Sequence, residues 1–161
     1  MDTLQIKKPD AIKAHQNANS KGKSLLENLF GKKVFIQNIR DRIQGEEDIF
    51  ELNNTTKEAF ESKWEGFEEH EINTAFIKLM VAAYNNNDGK LPDFTDGKTK
   101  YSAYFVMGSP AGVGFAYYDC GRWSSHSIVG ARLVFYGDEG YKNMLDAVKK
   151  FESQYKKMLT T

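Results

Sequence analysis

Cys120 and His126 are the pair of residues in this sequence best suited to nucleophilic chemistry. They lie six positions apart around a predicted turn, which could bring the thiol close to an imidazole base. Catalysis of this kind also needs a third group that orients the base, and the sequence offers no clear one. A lone cysteine at a strand end is usually a small buried hydrophobe. We therefore interpret Cys120 as a packing residue and predict that the protein is not an enzyme.

Metal-binding and phosphate-binding patterns are also incomplete. The three histidines, His15, His70 and His126, lie far apart, and no second histidine follows His70-Glu71 at helical spacing. The run YNNNDGKLPDF (84–94) lacks the regular acidic ligands and the closing glutamate of an EF-hand loop. In GSPAGVG (108–114) no Lys-Ser or Lys-Thr follows the glycines, as a phosphate-binding loop would need. We expect no metal and no cofactor, and we interpret 108–114 as a hairpin connection.

A binding surface is better supported by the aromatic residues and arginines between positions 101 and 135. Aromatic side chains with arginine are typical anchors of protein interfaces, and on a sheet they can also stack nucleic-acid bases. Strand alternation predicts that Phe115, Tyr117, Val129, Ala131, Leu133 and Phe135 pack under the C-terminal helix, while Tyr118, Ile128, Arg132 and Val134 face outwards. The candidate binding residues here are Tyr118, Arg122, Trp123 and Arg132.

A second candidate surface is acidic. Glu68, Glu69 and Glu71 stand at the start of the clearest helix in the sequence. They could mimic the charge of a nucleic acid in the basic groove of a partner protein. Carboxylates are also favoured in the first turn of any helix, because they complement its dipole.

The elements that must position these residues indicate an α+β fold in a single domain, 1–161. Residues 1–66 are predicted to be helical: a helical hairpin that ends at Gly31, a short acidic helix in GEEDIFELNN, and a helix from Lys57 to Trp64. Residues 67–161 are predicted to form a helix-β-β-β-helix core. In it, a long central helix precedes a three-stranded antiparallel meander of YSAYFVM, GFAYYDC and SIVGARLVF. One C-terminal helix, from about Gly140, is expected to pack on this sheet.

Overall charge and hydropathy reduce the number of function classes that fit the sequence. The chain has 22 Lys and Arg residues and 22 Asp and Glu residues, so its net charge is zero. It therefore lacks the overall basic excess of a dedicated duplex-DNA-binding protein, although a local basic patch is compatible with these counts. The sequence shows no apolar leader and no run of about 20 apolar residues that could span a bilayer. We expect a cytoplasmic protein with no membrane contact.

Several sequence blocks occur in a characteristic order: AIKAHQNANSKGKSLLENLFGKKVF, IRDRI, AAYNNNDGKLPDFTD, KYSAYFVM, GFAYYDC, SSHSIVGARLVF and KKFESQYKKML. In this order the chain resembles a large group of uncharacterised small proteins encoded by phages and prophages of Bacteroidetes. Leu91, Phe94 and Tyr104 stand where relatives tend to carry tryptophan. The resemblance covers most of the chain and implies a mobile-element product made in a bacterial cytoplasm. It brings no known activity.

Three functions are compatible with these observations. The first is an accessory protein that binds a host or phage protein, for example as an inhibitor or modulator of a host defence nuclease; an anti-CRISPR protein would belong to this class. The second is a single-stranded nucleic-acid-binding protein that uses the sheet. The third is a minor virion or assembly component.

Overall fold

The protein consists of two compact units, Met1–Arg42 and Ile43–Thr161. A computed structural model describes residues 6–85, 93, 95–109, 113–124 and 131–160. Across these ranges, every helix is too short or too polar to cross a membrane.

The first unit begins with the helical hairpin that the sequence predicts and continues with short turns. Its elements are α1 (Lys8–Asn17), α2 (Ser20–Phe30), a 3-10 turn (Lys32–Phe35) and α3 (Ile39–Arg42). The side chain of Asn19 accepts the Gly22 N–H at 3.0 Å and caps the start of α2. Gly31, with φ of 81°, ends α2 in a conformation that glycine adopts without strain.

His15 contacts two other elements of this first unit. Its ring stacks on Phe35 at 4.1 Å between centroids, and its Nε2 lies 2.9 Å from Glu27 Oε1. These two contacts connect α1 to the 3-10 turn and to α2. His15 is therefore a packing residue of the hairpin.

Three helices begin the second unit: α4 (Glu46–Leu52), α5 (Lys57–Lys63) and α6 (Glu69–Asn85). The Asp48 carboxylate accepts the backbone N–H groups of Gln44 and Gly45, which fixes the start of α4. Thr56 Oγ1 accepts the Ala59 N–H at 3.2 Å at the start of α5. The predicted acidic helix and central helix are confirmed, and the helices over 46–63 belong to this unit.

The core of the second unit is aromatic. Phe76 of α6 lies 5.8 Å from Phe50, 6.4 Å from Phe60 and 5.7 Å from Phe151, measured between ring centroids. All four phenylalanines are buried. Because each comes from a different part of the chain, this cluster joins the early helices to the C-terminal region.

The sheet is antiparallel and three-stranded, which confirms the α+β class. Its strands are β1 (Lys100–Val106), β2 (Ala116–Trp123) and β3 (Phe135–Tyr136), in the order β2-β1-β3. The predicted meander order is wrong, because a meander would place β2 in the centre. Instead β3 pairs with the second edge of β1, where Lys100 lies opposite Tyr136.

The segment before β3 also differs from its prediction. Ala131–Leu133 form a 3-10 turn, and the first part of the predicted strand, with Ile128 and Val129, lies outside the described residues. The turn breaks strand alternation, so Val134 is buried with 1% of its surface exposed, where we predicted an outward position.

Two helices rather than one follow the sheet. They are α7 (Gly140–Lys150) and α8 (Glu152–Leu159), separated at Phe151, which has a φ of −122°. Gly140 allows the first turn of α7 to approach β1, since a Cβ there would lie 3.0 Å from the Tyr101 ring.

Candidate functional site

The β1–β2 hairpin has one face packed against the C-terminal helices. Ring centroids lie 5.8 Å apart for Tyr101 and Tyr141 of α7, and 4.9 Å apart for Phe105 and Tyr155 of α8. Residues directly opposite in antiparallel strands share a face. Arg122 lies opposite Tyr101 and therefore belongs to this helix-facing side.

The other face of the hairpin carries Tyr104. Its ring lies over Gly121 of β2, where a Cβ would collide with the phenol. A glycine at this position therefore lets the ring lie close to the strand backbone. Tyr104 keeps 51% of its surface exposed. The sequence does not reveal the contact between this ring and Gly121, because that contact depends on how the two strands pair.

A bulge displaces Tyr118. The strand register pairs Tyr104 with Asp119 and Phe105 with Tyr117, so Tyr118 has no partner on β1. Bulges of this kind re-aim a side chain and increase the local twist. Tyr118 is 71% exposed, in agreement with its predicted outward position.

Exposed apolar side chains concentrate in the half of the hairpin nearest its connection. We call this set the hairpin surface; its members are Tyr104, Val106, Met107, Val113 and Tyr118. The connection itself has Gly108 and Gly114 at positive φ, 66° and 83°. The Ser109 N–H donates to the Val113 carbonyl at 3.0 Å. These described residues confirm the predicted hairpin connection.

The remaining aromatic and arginine candidates are not grouped with Tyr118. Trp123 is partly buried, and its buried Nε1 finds no hydrogen-bond acceptor among the described residues. Arg132 is exposed in the 3-10 turn before β3. Because β1 lies between β2 and β3, Arg132 and Tyr118 belong to opposite edges of the sheet.

The three candidate glutamates are exposed at the start of α6. Glu71 Oε2 accepts the Glu68 N–H at 3.1 Å, which satisfies one backbone donor of the helix start. Glu69 Oε1 lies 3.0 Å from Lys157 Nζ of α8. Glu69 and Glu71 therefore have local structural contacts in addition to any role in binding.

An open cavity of about 470 Å³ lies between α4, α5, α6 and α8. Its buried aromatic residues are Phe50, Phe60 and Phe76, and its charged residues are Glu46, Lys57, Glu61, Glu69 and Lys157. Such a cavity could hold an apolar group beneath a charged rim. Sequence reasoning missed it because its lining comes from four helices with no common spacing.

Titratable groups near the sheet are tuned by burial. The pKa of Tyr117 is raised to about 12, first by burial and then by Cys120, Tyr141 and Asp119. Burial also raises the pKa of Tyr155.

Within the described ranges, no group of three His, Cys, Asp or Glu side chains could hold a metal ion. His126 lies outside the described residues, so its predicted approach to Cys120 stays untested.

Comparison of the chain with protein-family models, with curated proteins and with solved structures found no match in any of the three. The hairpin surface and the charge distribution are therefore the observations from which a function can be argued.

Proposed function

We propose that this chain is a non-catalytic accessory protein of a phage or another mobile element. It acts in the bacterial cytoplasm, where it binds and modulates a host protein such as a defence nuclease. The observation that carries the proposal is the hairpin surface, above all its exposed tyrosines Tyr104 and Tyr118. Tyrosine is enriched among residues that dominate binding energy at interfaces, because it offers large contact area at low entropic cost.

Packing on the opposite face supports this role. Phe105 alternates with Tyr104 along β1 and contacts Phe115 at 4.9 Å and Tyr155 at 4.9 Å, so the strand behind the hairpin surface is anchored. Side chains on an anchored strand need little reorganisation to meet a partner. The hairpin therefore suits a binding surface whose conformation is already ordered in the free protein.

Contact through side chains is favoured over addition of a strand to the β2 edge. The Cys120 N–H already donates to Asp119 Oδ1 at 2.8 Å, and Tyr118 forms a bulge. Bulges and engaged backbone donors obstruct pairing with a new strand. We therefore expect the partner to cover the tyrosines rather than extend the sheet.

The proposal is tested by affinity capture from a nuclease-treated Bacteroidetes lysate, followed by mass spectrometry. Wild-type protein should retain one host protein in stoichiometric amount, and the variant Tyr104→Ser/Tyr118→Ser should lose it. Retention of the same proteins by both would refute a role for the hairpin surface.

Two alternative functions have distinct outcomes. Oligonucleotide bound before nuclease treatment, and lost on replacement of Tyr118, would indicate single-stranded nucleic-acid binding on the sheet. Detection of the chain in purified phage particles would instead indicate a virion component.

A further inference from the structure

Charge is distributed unevenly between the two compact units. Residues 1–42 contain nine Lys and Arg against four Asp and Glu, a formal charge of +5. Residues 43–161 contain thirteen and eighteen, a formal charge of −5. The zero net charge of the chain therefore conceals a basic first unit. Basic residues concentrated in one unit are the electrostatic signature of phosphate binding.

The positive charges of the first unit are accessible. Its exposed lysines are Lys7, Lys8, Lys13, Lys21, Lys23, Lys32 and Lys33. Of these, Lys13, Lys21 and Lys23 form no ion pair within the part of the chain that the structure describes. Glu27 is engaged by His15 at 2.9 Å, which leaves Asp10 and Asp41 as the exposed carboxylates of the described unit.

We infer that the helical unit 1–42 binds the phosphate backbone of nucleic acid without reading its sequence. Seven of its nine cations are lysines, and Arg40 and Arg42 are half-buried. Lysine is a compact point charge that suits phosphate, whereas base recognition in the major groove relies mainly on bidentate arginine. This activity belongs to a different unit from the hairpin surface and does not depend on the proposed function.

A nucleic acid fits this unit better than a lipid surface. Exposed apolar side chains on α2 are limited to Leu25, Leu29 and Phe30, and Lys21 lies one turn before Leu25 on the same side. A helix that binds membranes needs a broad apolar face in addition to its lysines. Phosphate contact requires only the charges.

The test uses the full chain and measures fluorescence anisotropy of a single strand and a duplex, each about 20 nucleotides long, at about 50 mM salt. One variant, Lys13→Gln/Lys21→Gln/Lys23→Gln, lowers the charge of the first unit. A second variant replaces the same lysines with arginine and keeps the charge. The matched control is Lys78→Gln/Lys142→Gln/Lys149→Gln, which changes three exposed lysines of the other unit.

Wild-type protein should bind both probes with strong salt dependence. The first variant should bind more than about tenfold more weakly, with its salt slope reduced by up to about 3, while the arginine variant and the control stay within about twofold of wild type. Three results would overturn the inference: no binding at low salt, equal loss in the control, or tighter binding to phosphatidylserine vesicles than to DNA. Circular dichroism of each variant verifies folding, and the arginine variant separates loss of charge from loss of structure.

Discussion

Tyr104 lies across Gly121, on the face of the hairpin turned away from α7 and α8. The phenol occupies the space that a β-carbon at residue 121 would need. The Tyr104 ring can therefore occupy this position only because residue 121 is a glycine. This arrangement holds a half-exposed aromatic ring against a strand backbone, within the surface that we propose for partner binding.

Gly121→Ala should displace the Tyr104 ring. The added methyl group has no free space, so we expect the free energy of unfolding to fall by about 1–3 kcal/mol, measured by urea denaturation. In the control Gly45→Ala the added methyl group meets no atom within 4 Å, so any cost reflects only the weaker N-cap that alanine gives α4. In the double variant Tyr104→Ser/Gly121→Ala the two costs should not add, since the collision is removed. Full additivity would contradict the contact.

Lys100 and Asp96 form an ion pair that should make the stability of the fold depend on pH in the acidic range. Lys100 is fully buried, and its Nζ lies 2.8 Å from Asp96 Oδ1. The hydrogen bond from Lys100 lowers the pKa of Asp96 below its ordinary value of 3.8. A carboxylate with a lowered pKa stabilises the fold above that ordinary value, and this stabilisation is lost as the pH falls through the lowered pKa.

Asp96→Asn should therefore be less stable than wild type at pH 7, and the difference should shrink below about pH 4. Thermal melts between pH 2 and pH 7 measure this. Glu61→Gln, which removes an exposed carboxylate 3.9 Å from Lys57, is the control and should change little. A constant difference between Asp96→Asn and wild type at every pH would contradict the ion pair.

The features of this fold that could be predicted from the sequence are those determined by neighbouring residues. The stop at Gly31, the acidic start of α4 and the apolar stripe of α6 act within one helix, and all three were predicted correctly. The prediction of a single C-terminal helix was wrong, because Phe151 departs from helical geometry and packs against Phe76. Apolar spacing alone does not reveal such a break.

The sheet shows where local signals fail. The apolar run before Tyr136 is typical of a long strand, yet β3 spans two residues because Ala131–Leu133 turn first. The order β2-β1-β3 depends on which strand reaches β1, a choice made by tertiary packing. For the candidate site, alternation predicted an outward Tyr118, but the bulge that leaves it without a partner on β1 was not predictable from spacing. The packing of the Tyr104 ring on Gly121 was not predictable, because it depends on the pairing with another strand.

Tyr84 and Asp146 should contribute measurably to stability. Tyr84 Oη donates to Asp146 Oδ2 at 2.6 Å, and Lys150 Nζ lies 2.8 Å from the same oxygen. Hydrogen bonds to charged groups contribute about 1.5–3 kcal/mol, so we expect Tyr84→Phe to lower the free energy of unfolding by about that amount. Tyr141→Phe, at an exposed tyrosine of α7, should change it by less than about 0.5 kcal/mol. Equal effects of the two substitutions would show that the hydrogen bond between Tyr84 and Asp146 contributes nothing specific.

The acidic start of α6 can be divided by role. Glu71 accepts a backbone N–H, so Glu71→Lys should lower the melting temperature. Glu68→Lys removes no side-chain contact that the structure describes, so it should lower stability only slightly, through the helix dipole. It should weaken binding if these carboxylates meet a basic groove of the partner. Glu152→Lys, another exposed glutamate in the first turn of a helix, is the control for binding. Unchanged binding by Glu68→Lys would contradict the hypothesis that these carboxylates mimic nucleic-acid charge.

The most direct test of the account is the affinity of the captured host protein for two single-tyrosine variants, measured by calorimetry. Tyr118→Ser alters the hairpin surface, whereas Tyr141→Ser alters an exposed tyrosine on α7 that lies outside it. We predict that Tyr118→Ser weakens binding by about 30-fold or more, as expected for a dominant interface residue, and that Tyr141→Ser binds within about threefold of wild type. Wild-type affinity for Tyr118→Ser, or equal weakening by both substitutions, would contradict the claim that the protein binds its partner through the hairpin surface.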